Sequence, residues 1–251
     1  MNYSEKYRPT SWAEVVGQDA AVEQLQALAA DSWGGRALWI QGPSGTGKDT
    51  LAGIYVRLRC EDWNIETHHA DTLTAAKVRE INESLRYAGM TGGDTTKNGR
   101  AVIVPEAHGI PAHGIRALKT SLEEIPEHAV WVFTTTGKES GKLFDSGEDA
   151  MPVITRCDQI DLSASADTCR AFGQRAYQLA QADGRDGHDA EVYRIAAHVL
   201  KGSMRALLQA VGSGKVASIV RKHATERIAE LDANEDATKI AQWEQILQLC
   251  S

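Results

Sequence analysis

Disulfide chemistry and zinc-binding patterns are missing from this chain. Its four cysteines, Cys60, Cys157, Cys169 and Cys250, are scattered through 251 residues with no C-x-x-C pair. That usage fits reduced, structural thiols and no zinc. Long hydrophobic runs are missing too: "ALWI" and "AVWVF" are among the longest, against the roughly 20 residues a membrane span requires. The opening "MNYSEKYRPT" lacks the apolar core of a signal peptide, so a cytoplasmic location is expected. An excess of positive charge is also absent. With 27 Lys and Arg against 34 Asp and Glu, the net charge of −7 excludes a protein coated in nucleic acid over most of its surface. It leaves a local basic lining open. Nothing repeats internally, and no segment is of low complexity. What remains is an ordinary globular composition, 42% hydrophobic and 24% charged, sufficient for one large domain or for a large and a small one.

Apolar, β-rich runs alternate with helical patterns through the first two thirds of the chain, which predicts an α/β fold with a largely parallel sheet. The expected strands are 37–41, 65–69, 101–104, 130–134 and 159–162. Between them lie the helical stretches "DAAVEQLQALAA", the segment after Lys48, "TAAKVREINESLRYA" and "GIRALKTSLEEI". The Gly- and Thr-rich "GMTGGDTTKNGR" reads as an exposed loop before the third strand. After Ser163 the strand pattern stops. "DTCRAFGQRAYQLAQADG", "DAEVYRIAAHVL" and "SMRALLQAVGSG" predict three helices closed by glycine-containing punctuation. Two further amphipathic helices are expected beyond Gly214. One places Val216, Ile219, Val220, Ala224, Ile228 and Leu231 on one face; the other does so with Ile240, Trp243, Ile246 and Leu247. This divides the chain into an α/β domain at 1–162, a small helical domain at 163–214 and a helical hairpin at 215–251.

Residues 42–50 read "GPSGTGKDT" and nearly spell the phosphate-binding loop G-x-x-x-x-G-K-[ST]. The loop follows a predicted strand and opens a predicted helix, the context in which it has a mechanism. Its glycines let backbone N–H groups approach phosphates, the helix N-terminus favours negative charge, and Lys48 reaches the β- and γ-phosphates. The cofactor-binding candidates here are Gly42, Gly45, Thr46, Gly47, Lys48, Asp49 and Thr50. Further on, "AVIVPEAH" is an apolar strand ending in a carboxylate, Glu106. It occupies the place where P-loop ATPases carry the carboxylates that hold magnesium and position water.

Taken in order, several motifs identify a resemblance. "KYRPTSWAEVVGQDAAVEQLQ" resembles the opening of clamp-loader ATPase subunits. "RALKTSLEEIPEHAVWVFTTT" is similar to the bacterial clamp-loader motor subunit (gamma/tau) between its Walker B and sensor 1 elements. "PVITRC" resembles the Ser-Arg-Cys box and "GSMRALL" the sensor 2 helix. The resemblance runs from about Lys6 to about Gly214 and is to the AAA+ clamp-loader clade, a five-stranded P-loop fold with a helical lid. It implies ATP as ligand, with Tyr7, Arg8, Pro9, Val16 and Gln18 on the adenine side. It implies that Glu106 orients the attacking water, that Thr136 is the sensor 1 residue, and that Arg205 is the lid arginine. Arg156 would be a finger acting on ATP held by a neighbouring subunit. The implied partners are other clamp-loader-like AAA+ subunits, in a homo- or hetero-oligomer, with a sliding clamp and primer-template DNA beyond them. Lys77, Arg79 and Arg86, on one predicted helix, could face a ring interior or simply solvent.

Departures from the family pattern concern metal and assembly. Asp49 replaces the magnesium-binding hydroxyl, and Pro105 replaces the strand-end carboxylate. Either the Mg²⁺ site is lost, or Asp49 binds the ion directly; oxygen ligands from one carboxylate, phosphates and waters suit magnesium. The cysteine zinc module of the bacterial motor subunit is missing, and beyond Gly214 there is room for a helical hairpin in place of a full collar. Three functions therefore stand side by side: a clamp-loader-like ATPase with slow or altered hydrolysis, a non-hydrolysing scaffold that donates Arg156 to a partner, and a small-molecule P-loop kinase. The last leaves the Arg-Pro, Thr-Arg-Cys and Gly-Ser-Met-Arg elements without a purpose.

Overall fold

Strand β1 (Arg36–Gln41) lies inside a five-stranded sheet, and its neighbours explain its near-continuous apolar run. In the computed structural model, which describes residues 2–136, 150–185, 187–231 and 237–250, the other strands are β2 (Ile65–Thr67), β3 (Arg100–Val104), β4 (Ala129–Thr135) and β5 (Asp158–Asp161). The order is β2-β3-β4-β1-β5 and every pairing is parallel. All seven residues of β4 are buried, as a strand covered on both faces requires.

The alternation of side chains along each strand separates two apolar layers. Ala37, Trp39, Val102, Val104, Trp131 and Phe133 point to one face and pack under α4 (Ala75–Leu85), α5 (Ala112–Ser121) and α6 (Met151–Ile154). Leu38, Ile40, Ala101, Val130, Val132 and Ile160 point to the other, where α2 (Asp19–Asp31) and α3 (Lys48–Arg57) cover them. Ahead of these stands α1 (Tyr3–Lys6).

The predicted strands match within two residues at each end. Helix α4 stops at Leu85, short of the expected Ala88, and α5 starts two residues early, with Pro111 at its N-cap, and stops at Ser121. Leu122 to Ile125 leave the helix and turn into β4. Helix α6 was not expected at all; Pro152 sits in its first turn, where a fixed φ and a missing N–H cost nothing.

After β5 the structure is helical: α7 (Ala166–Ala182), α8 (Ala190–Val199), α9 (Met204–Gly212), α10 (Val216–Glu230) and α11 (Ala237–Leu249). Ser165 and Ser203 cap α7 and α9, each accepting a bond from a backbone N–H three residues on. One apolar cluster joins Phe172, Ala176, Tyr193, Leu207, Val211, Val216 and Val220, so α10 packs onto the same core as α7–α9. Tyr3 of α1 belongs to that cluster too. Gly173 permits the closest crossing: a Cβ there would lie 2.6 Å from Cα of Arg194, so α7 and α8 meet backbone to backbone. All four cysteines are buried, and none is in a disulfide. Among the described residues no helix is long and apolar enough to cross a membrane, and no group of three or more His, Cys, Asp or Glu is placed to hold a metal ion.

Candidate nucleotide-binding site

The loop of residues 42–47 leaves the C-terminal end of β1 and enters α3 at Lys48, where the helix N-terminus points its free N–H groups outward. Gly45 and Gly47 adopt φ of +78° and +109°, which side chains rarely tolerate. At Gly45 a second constraint applies: a Cβ would lie 2.1 Å from Oγ of Ser203, the residue that caps α9. The glycine thus lets the helical region rest directly on the phosphate loop. The backbone N–H of Arg205 completes that contact, donating to the Gly45 carbonyl at 3.4 Å.

Lys48 is buried, and its Nζ donates to the carbonyls of Gly42 and Pro43 at 2.8 and 2.9 Å. Burial lowers its pKa, opposed by the carboxylates of Glu106 and Asp49. Thr46 donates its hydroxyl to the Pro43 carbonyl at 2.8 Å, which closes the loop on itself. Asp49, in the first turn of α3, meets two side chains among the described residues: its Oδ1 accepts from Thr134 Oγ1 at 3.1 Å, and its Oδ2 lies 3.6 Å from Nη2 of Arg205. Glu106 stands one residue past Pro105 in a left-handed conformation, φ +50°. Its Oε2 accepts from Thr136 Oγ1 at 3.3 Å and lies 3.4 Å from His108 Nδ1.

These groups open onto a cleft of about 980 Å³, its solvent-filled mouth included. Tyr7, Arg8, Pro9 and Val16 line it, with Gly45, Thr46, Gly47, Lys48, Asp49, Thr50, Glu106 and Arg205. Apolar walls come from Phe172, Leu179 and Leu208, so the cleft spans the sheet end and the helical region. The N-terminal segment is tied down at the far side. Lys6 Nζ and Tyr7 OH both donate to the Asp183 carboxylate, at 2.8 and 2.5 Å, which holds that carboxyl below the usual range. Tyr3 OH donates to the Leu179 carbonyl.

Four of the sequence candidates lie outside the cleft lining. Gln18 is buried, donating to the Ser163 and Thr46 carbonyls and accepting from the Ser163 N–H. It braces the loop against the end of β5. Gly42 lies beneath the loop, where a Cβ would meet the Leu162 carbonyl at 2.7 Å. Thr136 meets the cleft through its bond to Glu106. Arg156 points elsewhere: its Nε donates to Glu123 Oε1 at 3.1 Å and its Nη1 to the Pro152 carbonyl. Lys77 pairs with Glu80 on the surface of α4.

Sequence reasoning missed Thr134, His108 and Arg175. Thr134 is a buried strand hydroxyl whose role depends on a carboxylate across the sheet edge. His108 was visible in "AVIVPEAH" but had no partner until Glu106 and Thr135 were placed. Arg175 lines the cleft from α7, and nothing in its helical pattern marks it.

This combination of a phosphate loop, a glutamate just past a strand end and an arginine at the start of α9 on a five-stranded parallel sheet has recognisable relatives. DNA polymerase III subunit gamma/tau of Mycobacterium tuberculosis is 30% identical over 159 residues, covering 53% of this chain. DNA polymerase III subunit tau of Bacillus subtilis is 24% identical over 231 residues, covering 82% of it. The chain is homologous to clamp-loader AAA+ subunits. It spans 27% and 38% of the length of those two relatives. No family model matches it. Among solved structures, the RuvB Holliday junction branch migration motor of Thermotoga maritima aligns with 96% of this chain and 72% of its own, at a TM-score of 0.61. With 17% identity, that likeness concerns the AAA+ fold alone.

Proposed function

We propose that this clamp-loader homologue is an ATP-binding AAA+ subunit that assembles with neighbouring subunits in DNA replication and hydrolyses ATP slowly. In this reading residues 1–162 form the nucleotide-binding domain, 163–214 the lid, and 215–251 a partner-binding helical hairpin. The protein works in the cytoplasm, and its further partners are a sliding clamp and primer-template DNA.

The observation that carries the proposal is the convergence of Lys48, Asp49, Glu106 and Arg205 on one cleft at the N-terminus of α3. Positive charge from Lys48, Arg205 and the helix end suits a phosphate tail. The donor set also suits Mg²⁺ held jointly with phosphates: Asp49 is 45% exposed at the loop, with the Thr134 hydroxyl against it. Bound there, the ion would neutralise charge on the β- and γ-phosphates. Lys48 would turn from its loop carbonyls to the phosphates, and Glu106 would orient the attacking water, with Thr136 and His108 holding its carboxylate. Arg156 lies outside this cleft, which supports a role on ATP held by an adjacent subunit. The same placement favours a second reading, in which the chain's own site is idle and Arg156 serves a partner's.

Nucleotide affinity with and without Mg²⁺, together with turnover of Glu106→Gln and Arg156→Ala, separates the two. Magnesium-dependent binding with turnover lost in Glu106→Gln supports the ATPase. Absent nucleotide binding, with a partner's ATPase stimulated only when Arg156 is intact, supports the scaffold. An ATP that neither binds nor alters assembly, with no responsive partner, refutes both.

A further inference from the structure

Asp49 is the residue at which this chain departs from its family's phosphate loop, and the structure gives it an occupation that needs no metal. Its Oδ1 is oriented by Thr134, which is 1% exposed on β4. Its Oδ2 faces Nη2 of Arg205 at 3.6 Å, with the two side chains 45% and 51% exposed. A serine or threonine hydroxyl could offer Arg205 no such counter-charge. Two further contacts lie beside the pair: the Arg205 N–H on the Gly45 carbonyl, and Ser203 packed where Gly45 has no Cβ. All three join the first turn of α9 to the phosphate loop. Lys48 is meanwhile satisfied by Gly42 and Pro43.

We propose that Asp49 stands in for a phosphate in the nucleotide-free protein: it holds the lid arginine on the phosphate loop, and ATP enters by an exchange of partners in which Arg205 passes from Asp49 to the phosphate tail. The proposal rests on the nucleotide-binding reading for its second half only. In the resting state, Arg205 neutralises a carboxylate that would otherwise face empty solvent beside a helix N-terminus. When phosphates arrive, Arg205 turns to them and Asp49 loses its counter-charge. The freed carboxylate then repels the phosphates unless a cation compensates it, so Asp49 makes nucleotide binding depend on magnesium more steeply than a hydroxyl would.

The latch is read on the full chain without nucleotide, by hydrogen exchange of the amides at 205–208. Exposed pairs of this kind are weak, so Asp49→Ser should speed exchange there by about two- to fivefold, and Arg205→Ala equally. The double variant should add nothing, and 1 M salt should raise the wild type to the variants' rate while leaving theirs unchanged. Equal exchange in wild type and Asp49→Ser, or additive effects in the double variant, would overturn the latch. For the exchange of partners, affinity for ATP in EDTA should be about tenfold higher in Asp49→Ser than in wild type. Equal metal-free affinity in the two proteins would overturn that half. If neither protein binds ATP with or without Mg²⁺, the nucleotide reading and the exchange fall together, while hydrogen exchange still decides the latch.

Discussion

Replacing Gly45 by alanine should detach α9 from the phosphate loop while leaving the sheet intact. Two costs arise together. The backbone at φ +78° is unfavourable for any residue with a Cβ, by roughly 1–2 kcal/mol. The new methyl would also lie 2.1 Å from Ser203 Oγ and 3.1 Å from Ser203 Cβ. The hydroxyl can rotate away only by giving up its bond from the Ala206 N–H, the cap of α9, a loss of about 1 kcal/mol. The total is about 2–3 kcal/mol, of which the clash and cap are felt only when α9 is docked. That corresponds to a rise of roughly 30- to 150-fold in the undocked population if the backbone too relaxes on release. Hydrogen exchange across 205–211 measures it, with the amides of β4 as an internal standard. Gly47 supplies the control. Its φ is +109° but nothing lies within 4 Å of a Cβ there, so Gly47→Ala carries backbone strain without the clash. Ser203→Gly should rescue Gly45→Ala, because glycine at an N-cap costs only a few tenths of a kcal/mol relative to serine. If Gly45→Ala releases α9 no more than Gly47→Ala does, or Ser203→Gly brings no rescue, α9 does not rest on the loop through Gly45.

Three other perturbations test separate parts of the structure. Gly173→Ala puts a methyl 2.6 Å from the Arg194 backbone and should lower stability by about 1–3 kcal/mol in urea unfolding, since backbone cannot step aside as a side chain can. The Asp183 carboxyl is held below the ordinary value of 3.8 by its bonds from Lys6 and Tyr7. Its contribution is therefore present above that value and is lost as pH falls through the lowered folded-state pKa. Thermal midpoints measured from pH 5 downward should fall more steeply for the wild type than for Asp183→Asn, and identical slopes would remove Asp183 from the account. All four thiols are buried, and burial pushes Cys60 up to about 12. A thiol-reactive dye should therefore label native protein very slowly and label four groups once it is unfolded; fast native labelling would contradict the burial.

Much of the α/β half was legible because its determinants are local. Alternating or continuous apolar runs marked all five strands, and the loop between β1 and α3 carried its own glycine signature. Helix ends were less legible. Nothing local in "LEEI" stops a helix; Leu122 and Ile125 leave α5 because the chain must turn there to enter β4. Helix α6 was missed because four residues containing a proline carry no periodic signal. Among the candidate site residues, those on the phosphate loop stood out by spacing. Gln18 was assigned to the adenine side through family likeness, whereas its amide is spent on Ser163 and Thr46. A buried amide must satisfy its hydrogen bonds, and only the fold reveals with what.

The sequence by itself determined the strand-loop-helix unit that presents Lys48, the run of five strands, and the change from hydroxyl to carboxylate at position 49. Each depends on neighbours within one turn or one strand. What Asp49 does was decided by tertiary structure, since its partners come from β4, 85 residues away, and from the start of α9. The same holds for Tyr7, whose hydroxyl meets Asp183 across 176 residues. A charge acquires a function from the groups within a few ångströms of it, and here the sheet supplies Thr134 while the helical region resting on it supplies Arg205 and Asp183.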